Sequence, residues 1–333
     1  MTVMTLKVAV LDVGHGDCAV VYSSDRTSVV VIDCGNGPAL LEFLESEGLH
    51  HIDVALVTHN DDDHVRGMTQ ILGNLSVGLV AIHPNIKDVR GHEKRVMGAL
   101  VDAAETSRIP FAHVTTKDTD LLRGLSSLGY RAELLYPSQL QATQASRSNT
   151  TSAVLRVEWA NTAILFAGDL DNEGWDRLLS DESMTPRLKS QVLKFPHHGG
   201  RLVSYTDRCS ARDHTLTLLR SIAPKLTLIS TAQHGKYQHP DLSVLDGLRA
   251  YATEGCHRFL CTEVTSACDE QYDTKRDAVL ALLPEAQTSV YGRSGYPCAG
   301  TIRLQFSANG AVAVEADKKY EQIRRLYSNR QCA

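Results

Sequence analysis

Three consecutive aspartates stand between two histidines in the segment VTHNDDDHVRG, residues 57–67. Carboxylates crowded in this way raise one another's pKa values unless a cation lies among them. Imidazole nitrogens bind zinc, manganese and iron, while carboxylate oxygens favour harder ions and supply compensating negative charge. The segment therefore predicts a divalent-metal site, and the competing interpretation is a solvated polar loop.

Three further segments place chemically useful residues directly after apolar, strand-like runs. They carry, in chain order, Asp169 in FAGDLD, His197 and His198 in LKFPHHGG, and His239 in QHGKYQHP. Each alone is compatible with an ordinary surface turn, but strand ends gather at one edge of a sheet, where function is commonly found. Two divalent ions about 3.5–4 Å apart can share a hydroxide and lower the pKa of its parent water. Together the four segments predict metal-dependent hydrolysis.

The overall composition is that of an ordinary globular protein. The chain has 333 residues, 43% of them hydrophobic and 22% charged, with a net charge of −5, which is enough for one large core or two ordinary ones. This balance argues against a protein that wraps duplex DNA, although a local basic groove stays open. The sequence has no run of 18 apolar residues, so no transmembrane helix is predicted. The N-terminus lacks the form of a signal peptide, and the eight scattered cysteines favour a reducing cytoplasm.

Short β-branched runs alternate with helical patterns in both halves of the chain. This alternation predicts an α/β fold in which two β-sheets pack face to face with helices outside, in one domain over 1–333. Residues 110–150 show no clear pattern, and 140–150 is predicted to be a loop. The charged tail predicts a helix over 317–330.

These motifs resemble the metallo-β-lactamase superfamily and, more narrowly, the hydrolase domain of the ComEC/Rec2 DNA-uptake proteins and its free-standing relatives. The matching segments are LDVGHGD (11–17), VIDCG (31–35), THNDDDH (58–64), NTTSAVL (149–155), AGD (167–169), LKFPHHG (193–199), YQHP (237–240) and GTI (300–302). The resemblance implies an αββα sandwich with metals at one edge. Val65-Arg66-Gly67 and Gly200 depart from the family pattern, and the region around 263–299 diverges as an insertion would.

The resemblance also implies two divalent ions, Mn²⁺ or Zn²⁺, with Mg²⁺ as a third option. The implied ligands are His59 and Asp61 for the first ion, Asp63 and His64 for the second, Asp169 as a bridge, and His198 or its neighbour His197 to complete the second site. Asp63 is thus both a ligand and a catalytic residue.

The same resemblance suggests roles for residues around the ligands. Asn149 or Ser152 would support the first site or contact substrate, and Arg66 would place a cation beside the metals. His239 would bind substrate or donate a proton to the leaving group, and Lys194 would support the charge of the catalytic site.

The leading functional prediction is a phosphodiesterase or nuclease that acts on DNA or RNA through a metal-bridging hydroxide. A second candidate is hydrolysis of a small phosphodiester, a lactone or a thioester, because one fold hosts many activities. A third is a degenerate domain that binds or regulates. Resemblance to free-standing relatives further implies a protein partner, such as an ATPase or a defence-system component.

Overall fold

Two mixed β-sheets form the centre of the molecule. The computed structural model describes residues 4–84, 91–144, 147–202, 210–232, 238–267, 275–282, 298–316 and 320–326. In spatial order, the first sheet contains β14 (Val312–Glu315), β13 (Ile302–Phe306), β1 (Leu6–Val10), β2 (Ala19–Ser23), β3 (Val29–Ile32), β4 (His51–Leu56), β5 (Ser76–Ile82) and β6 (Phe111–His113). The second contains β12 (Arg258–Cys261), β11 (Leu226–Ile229), β10 (Val192–Lys194), β9 (Thr162–Phe166), β8 (Val154–Trp159) and β7 (Arg131–Tyr136).

Side-chain alternation along the strands separates two buried layers. Val8 and Val10 of β1 lie in the core that the two sheets share, whereas Ala9 between them packs with the helices outside. This follows from the two-residue period of a strand, which sends successive side chains to opposite faces. Both faces of the central strands are covered, so strands such as β2, β3 and β9 are buried along their whole length.

Helices cover the outer faces. They are α1 (Gly37–Glu47), α2 (Asp62–Val65), α3 (Met68–Asn74), α4 (Gly91–Ser107), α5 (Thr119–Ser126), α6 (Gln139–Gln144), α7 (Asn172–Leu179), α8 (Thr185–Leu188), α9 (Ala211–Ile222), α10 (Leu242–Glu254), α11 (Arg276–Leu282) and α12 (Tyr320–Leu326). Local sequence sets their ends: the Asn36 side chain caps α1 by accepting from the Ala39 amide, and Gly48 ends it in the left-handed conformation at φ 67°. None of the helices in these ranges combines the length and the apolar composition needed to cross a bilayer.

The carboxyl ends of the parallel strands bring distant segments to one edge. Strands β3 to β6 run parallel in the first sheet, and β9 to β12 run parallel in the second. The loops after β3, β4, β9, β10 and β11 therefore leave from the same side of the sandwich. Four of them carry Asp33, the segment 58–64, Asp169 and the His197-His198 pair.

The predicted sandwich of two facing sheets with helices outside is confirmed. Residues 110–150 are more ordered than the sequence predicts, because β6, α5, β7 and α6 lie there and α6 replaces part of the predicted loop. Only α12 is described within the predicted tail helix, and much of 263–299 lies outside the described residues. Val279 of α11 and Ile323 of α12 are buried in the same apolar cluster as Val8 and Val10. The extent of a single domain stays a prediction.

His257 makes the stability of the fold depend on pH. Its Nε2 lies 2.9 Å from Thr227 Oγ1 of β11, and burial lowers its pKa to about 4. In the unfolded chain His257 binds a proton near pH 6.5, whereas in the folded chain it does so only near pH 4. The free energy of unfolding therefore decreases as the pH falls from 6.5 towards 4. Urea unfolding with a chelator present should show the wild type losing about 2 kcal/mol more than His257→Gln between pH 7.5 and 5.0. Equal losses in the two proteins would contradict the assignment.

Candidate metal centre

The carboxylate of Asp169 lies at the centre of three imidazoles from two loops. Its Oδ1 is 3.3 Å from His64 Nε2, and its Oδ2 is 3.5 Å from His198 Nε2 and 4.0 Å from His59 Nε2. All four side chains are buried. The sequence-predicted ligands of the loops after β4, β9 and β10 are thus brought together in space.

Two ligand groups overlap around this centre. One contains His59, His64 and Asp169, and another contains Asp63, His64 and His198; within each group the candidate ligand atoms lie within 4.8 Å of one another. Asp63 Oδ2 is 3.3 Å from His198 Nε2. Asp61 extends the first group, since its Oδ2 is 3.5 Å from His59 Nε2 while its Oδ1 accepts from Ser148 Oγ at 2.6 Å.

The candidate ligand atoms fit divalent ions because their hydrogen-bonding capacity is not satisfied by the described residues. The Nε2 atoms of His59, His64 and His198 and Asp169 Oδ1 are buried, yet none makes a hydrogen bond of good geometry to any described residue. Unpaired buried polar atoms are costly and rare, so several of them converging on one point indicate a cation. A mixture of imidazole and carboxylate donors suits zinc or manganese.

His64 is oriented by a buried carboxylate behind it. Its Nδ1 lies 2.8 Å from Asp33 Oδ2, and Asp33 is itself fixed by the amide and hydroxyl of Thr58, both at 2.7 Å. An Nδ1–H that donates to Asp33 leaves the lone pair of Nε2 facing the cluster, which is the tautomer a metal ligand needs.

His59 is oriented by hydroxyl groups instead. Its Nδ1 lies 3.2 Å from Thr58 Oγ1 and 3.3 Å from Ser152 Oγ. Ser152 Oγ also accepts from the Asp169 amide at 2.9 Å. Ser152 therefore lies behind the ligands, linking His59 to Asp169, and does not line the cavity in front of them.

The charges of the cluster stabilise one another strongly. Burial opposes ionisation of Asp169, but His198, His64 and His59 together hold its pKa well below the usual value. Burial likewise disfavours the His64 cation, yet Asp169, Asp33 and Asp63 raise its pKa well above 6.5. An ion that binds here must displace protons from imidazoles, so metal affinity falls as the pH falls.

Two glycines allow the backbone of neighbouring loops to approach the Asp63 carbonyl closely. The Asp17 amide donates to the Asp63 carbonyl at 3.2 Å, and a Cβ at Gly16 or Gly35 would lie 2.3 or 2.4 Å from that carbonyl oxygen. Gly16 also has a φ of 133°, which side chains rarely adopt. The motifs GHGD and DCG thus place Asp63 by close backbone contact.

Gly16→Ala is expected to destabilise the protein by about 2 kcal/mol and to weaken metal binding, because Asp63 must shift. The matched control is Gly73→Ala in α3, where no atom lies within 4 Å of the added methyl. That change should be neutral or slightly stabilising. Thermal unfolding and metal titration of both variants check this; equal behaviour of the two would contradict the close contact.

A cavity of about 1500 Å³ opens in front of the ligands. Of the sequence-predicted residues, His197, His239, Asn149 and Arg66 line it, together with Asp61, Asp63, Asp169 and His198. His198 is buried and belongs to the ligand groups, whereas His197 has its Nε2 4.0 Å from Asp169 Oδ2 and lies partly exposed on the wall.

Burial, His197 and His198 lower the pKa of His239 to about 4, so its imidazole is neutral at neutral pH.

Two predicted residues make contacts that the sequence did not indicate. Arg66 lies 3.6 Å from Asp62 and donates to the His15 carbonyl at 3.0 Å, so it also ties the loop before β2 to α2. Lys194 is buried between the sheets and contacts Asp17, not the cavity. His234 lies outside the described residues.

Sequence reasoning missed several contributors to the site. Asp33 and Asp17 were recognised as parts of motifs but were given no role, although Asp33 follows a strand just as Asp169 does. His15 stands within GHGD, lines the cavity, and has its Nε2 3.3 Å from Asp63 Oδ2. A histidine flanked by two glycines in a motif of this kind was the available signal.

Comparison with known proteins identifies the family. A family model of the metallo-β-lactamase superfamily matches residues 11–234. The chain belongs to this superfamily. The predicted family is therefore confirmed, and the chain is a metal-dependent hydrolase of the superfamily, whose fold implies divalent metal ions.

Curated relatives support the narrower resemblance. The chain is 23% identical over 302 residues to ComE operon protein 3 of Bacillus subtilis (strain 168), covering 85% of this chain and 35% of that protein. It is 26% identical over 251 residues to Competence protein ComA of Neisseria gonorrhoeae, covering 73% and 30%. It thus spans about a third of the length of these relatives. Among solved structures, Tm1679, a metal-dependent hydrolase of the β-lactamase superfamily, matches with a TM-score of 0.45 and 13% identity over 77% of this chain and 95% of that one.

Proposed function

We propose that this metallo-β-lactamase-superfamily member is a phosphodiesterase that cleaves nucleic acid strands. The observation that carries the proposal is the ligand cluster facing a cavity of about 1500 Å³. Pockets for drug-sized ligands occupy roughly 300–1000 Å³. A cavity of this size suits a segment of a polymer better than a small ester, and the resemblance to the ComEC/Rec2 hydrolase domain favours a polynucleotide.

The charges and side chains of the cavity wall limit how such a strand could be held. Its described residues include Arg66 and Arg201, and each lies near an aspartate, Arg66 near Asp62 and Arg201 2.7 Å from Asp241. No Phe, Tyr or Trp is among the described residues that line it. A broad basic groove and an aromatic platform are both missing from this part of the chain, so contacts to the scissile phosphate would depend chiefly on bound ions.

We propose that His59 and Asp61 would hold one ion, that Asp63, His64 and His198 would hold a second, and that Asp169 would contribute to both sites. Divalent ions in such a site act as Lewis acids and lower the pKa of bound water. Asp33 and Ser152 keep the imidazoles of His64 and His59 turned towards the cluster. Asn149 and the neutral His239 face the substrate side of the cavity, where they can hydrogen-bond phosphate or sugar oxygens.

We also propose a cytoplasmic protein that works with a partner, such as an ATPase or a defence-system component. The buried thiols of Cys18 and Cys34 support the reducing compartment, since neither is in a disulfide. The proposal of a partner protein is based on the resemblance to free-standing relatives.

The test is a panel of substrates incubated with the protein and Mn²⁺, Zn²⁺ or Mg²⁺. Labelled single- and double-stranded DNA and RNA, bis-p-nitrophenyl phosphate, a lactone and a thioester should be compared, with a chelator as control. Cleavage of a nucleic acid that the chelator abolishes is expected. Turnover of only the lactone or thioester would contradict the proposal in favour of another hydrolase, and a chain that binds no metal would indicate a regulatory subunit.

A further inference from the structure

A buried ion pair joins the two sheets directly beneath the metal ligands. Lys194, the last residue of β10, has its Nζ 2.8 Å from Asp17, in the loop before β2. Lys194 is 4% exposed and Asp17 is 6% exposed. Replacing a buried ion pair by apolar side chains is often neutral or stabilising. Stability alone therefore gives little reason for a charged pair at this position.

Asp17 faces the imidazole of His198 from behind. Its Oδ1 lies 3.9 Å from His198 Nδ1, while His198 Nε2 faces Asp63 and Asp169 on the opposite side. His198 has a φ of 52° and His197 a φ of 51°, so two successive residues adopt the left-handed conformation. Such a backbone persists only where the surroundings fix it.

An oxygen-bearing side chain lies behind each of the three ligand imidazoles, at hydrogen-bond distance for His59 and His64 and at 3.9 Å for His198. An oxygen faces every Nδ1 edge: the hydroxyls of Thr58 and Ser152 at His59, the carboxylate of Asp33 at His64, and the carboxylate of Asp17 at His198. Oxygens behind metal-bound histidines fix the ring and its tautomer, and losing one typically weakens metal binding about 10–100-fold. Asp33 is fixed by Thr58, and Asp17 is fixed by Lys194.

Charge provides a second, independent reason for an ammonium here. The centre contains five carboxylates, namely Asp17, Asp33, Asp61, Asp63 and Asp169. Two divalent ions supply four positive charges, and Lys194 supplies the fifth. The ammonium thus offsets negative charge at a buried position beside the ligands, where an uncompensated charge is costly.

We propose that Asp17 and Lys194 are positioning residues for the second ion: Lys194 holds the Asp17 carboxylate against the Nδ1 edge of His198, so that His198 Nε2 stays directed at the metal. The inference rests on the two-ion assignment proposed above. It gives Lys194 a role through Asp17 and His198 and not through contact with substrate.

The test is a Co²⁺ titration of the metal-free protein, followed by visible absorption, which reports the ligand environment of each ion. Asp17→Asn removes the charge and keeps an acceptor for Lys194. Asp17→Asn/Lys194→Gln replaces the pair by two neutral amides, in case a lone buried ammonium prevents folding. Asp62→Asn is the matched control, because it removes a nearby negative charge that pairs with Arg66. Thermal unfolding of each metal-free variant verifies the fold.

We expect the Asp17 variants to bind the second Co²⁺ about 10–100-fold more weakly, with a changed absorption spectrum and an unchanged first site. The Asp62 control should bind both ions as the wild type does. Folded Asp17 variants with wild-type affinity for both ions, or an equal loss in the Asp62 control, would overturn the inference alone. A wild-type chain that binds fewer than two ions would contradict the proposed function and this inference together.

Discussion

Asp169→Asn should release both metal ions and lower kcat/KM by at least about 10³-fold, which corresponds to about 4 kcal/mol of transition-state stabilisation. Asp169 is the residue whose carboxylate lies within 4.0 Å of all three ligand imidazoles. A neutral amide keeps the shape of the side chain but removes its charge and half of its acceptor capacity. Metal content after gel filtration and hydrolysis of the best substrate measure the effect.

Asp171→Asn is the matched control for this prediction. Asp171 lies two residues further on, caps α7 by accepting from the Gly174 amide at 3.0 Å, and accepts from Thr150 Oγ1 at 2.6 Å. Asparagine caps helices about as well as aspartate, so stability should change little. The control should keep both ions and most of its activity. An Asp169→Asn protein that loses only one ion would contradict the bridging role.

Asp63→Asn should lower kcat/KM by a factor comparable to that of Asp169→Asn, while the first ion stays bound. Asp63 Oδ2 lies 3.3 Å from His198 Nε2 and 4.0 Å from His64 Nε2, whereas His59 belongs to the other ligand group. The substitution does not change the backbone carbonyl of residue 63, which accepts a hydrogen bond from the Asp17 amide, so the loop should keep its conformation. A metal content falling from two ions to one, together with a loss of about 10³-fold in kcat/KM, is the expected result.

The neighbouring Asp62→Asn provides the comparison, since Asp62 is next in sequence and carries the same charge. Its side chain lies 3.6 Å from Arg66 and is in neither ligand group. Activity should stay within a few-fold of wild type. If Asp62→Asn lowered the activity as much as Asp63→Asn, the activity would depend on the total charge of the loop and not on Asp63 as an individual ligand.

The sequence was sufficient to locate the candidate ligands that the structure brings together, because their signal is local. Each follows an apolar strand, and the parallel connection of β3 to β6 and β9 to β12 makes such strand ends meet. The three consecutive aspartates thus differ in their surroundings: Asp61 and Asp63 face the imidazoles, while Asp62 pairs with Arg66.

The direction of side chains could not be obtained in the same way. Lys194 ends β10, whose three residues are all buried because both faces of the sheet are covered, so no alternation indicates which way it points. His197 and His198 are adjacent, and only the left-handed turn decides which one enters the cluster. Ser152 was placed in the right region, but its contact behind His59 depends on a residue 93 positions away.

The weakly predicted stretch 110–150 has a physical explanation as well. Strand β6 has only three residues, and β7 is an edge strand whose first half, Arg131–Glu133, is partly exposed and polar. In α6, Ala142 is the buried residue, so the helix has no apolar stripe to reveal its period. These elements are specified by the sheet and core against which they pack.

The most direct test of the proposed two-ion centre is a crystal structure of the protein grown with Mn²⁺ or Zn²⁺, with anomalous scattering recorded at the absorption edge of the metal. We expect two peaks with Asp169 between them, one beside His59 and Asp61 and the other beside Asp63, His64 and His198. A single peak, or peaks away from these six side chains, would contradict the two-ion centre.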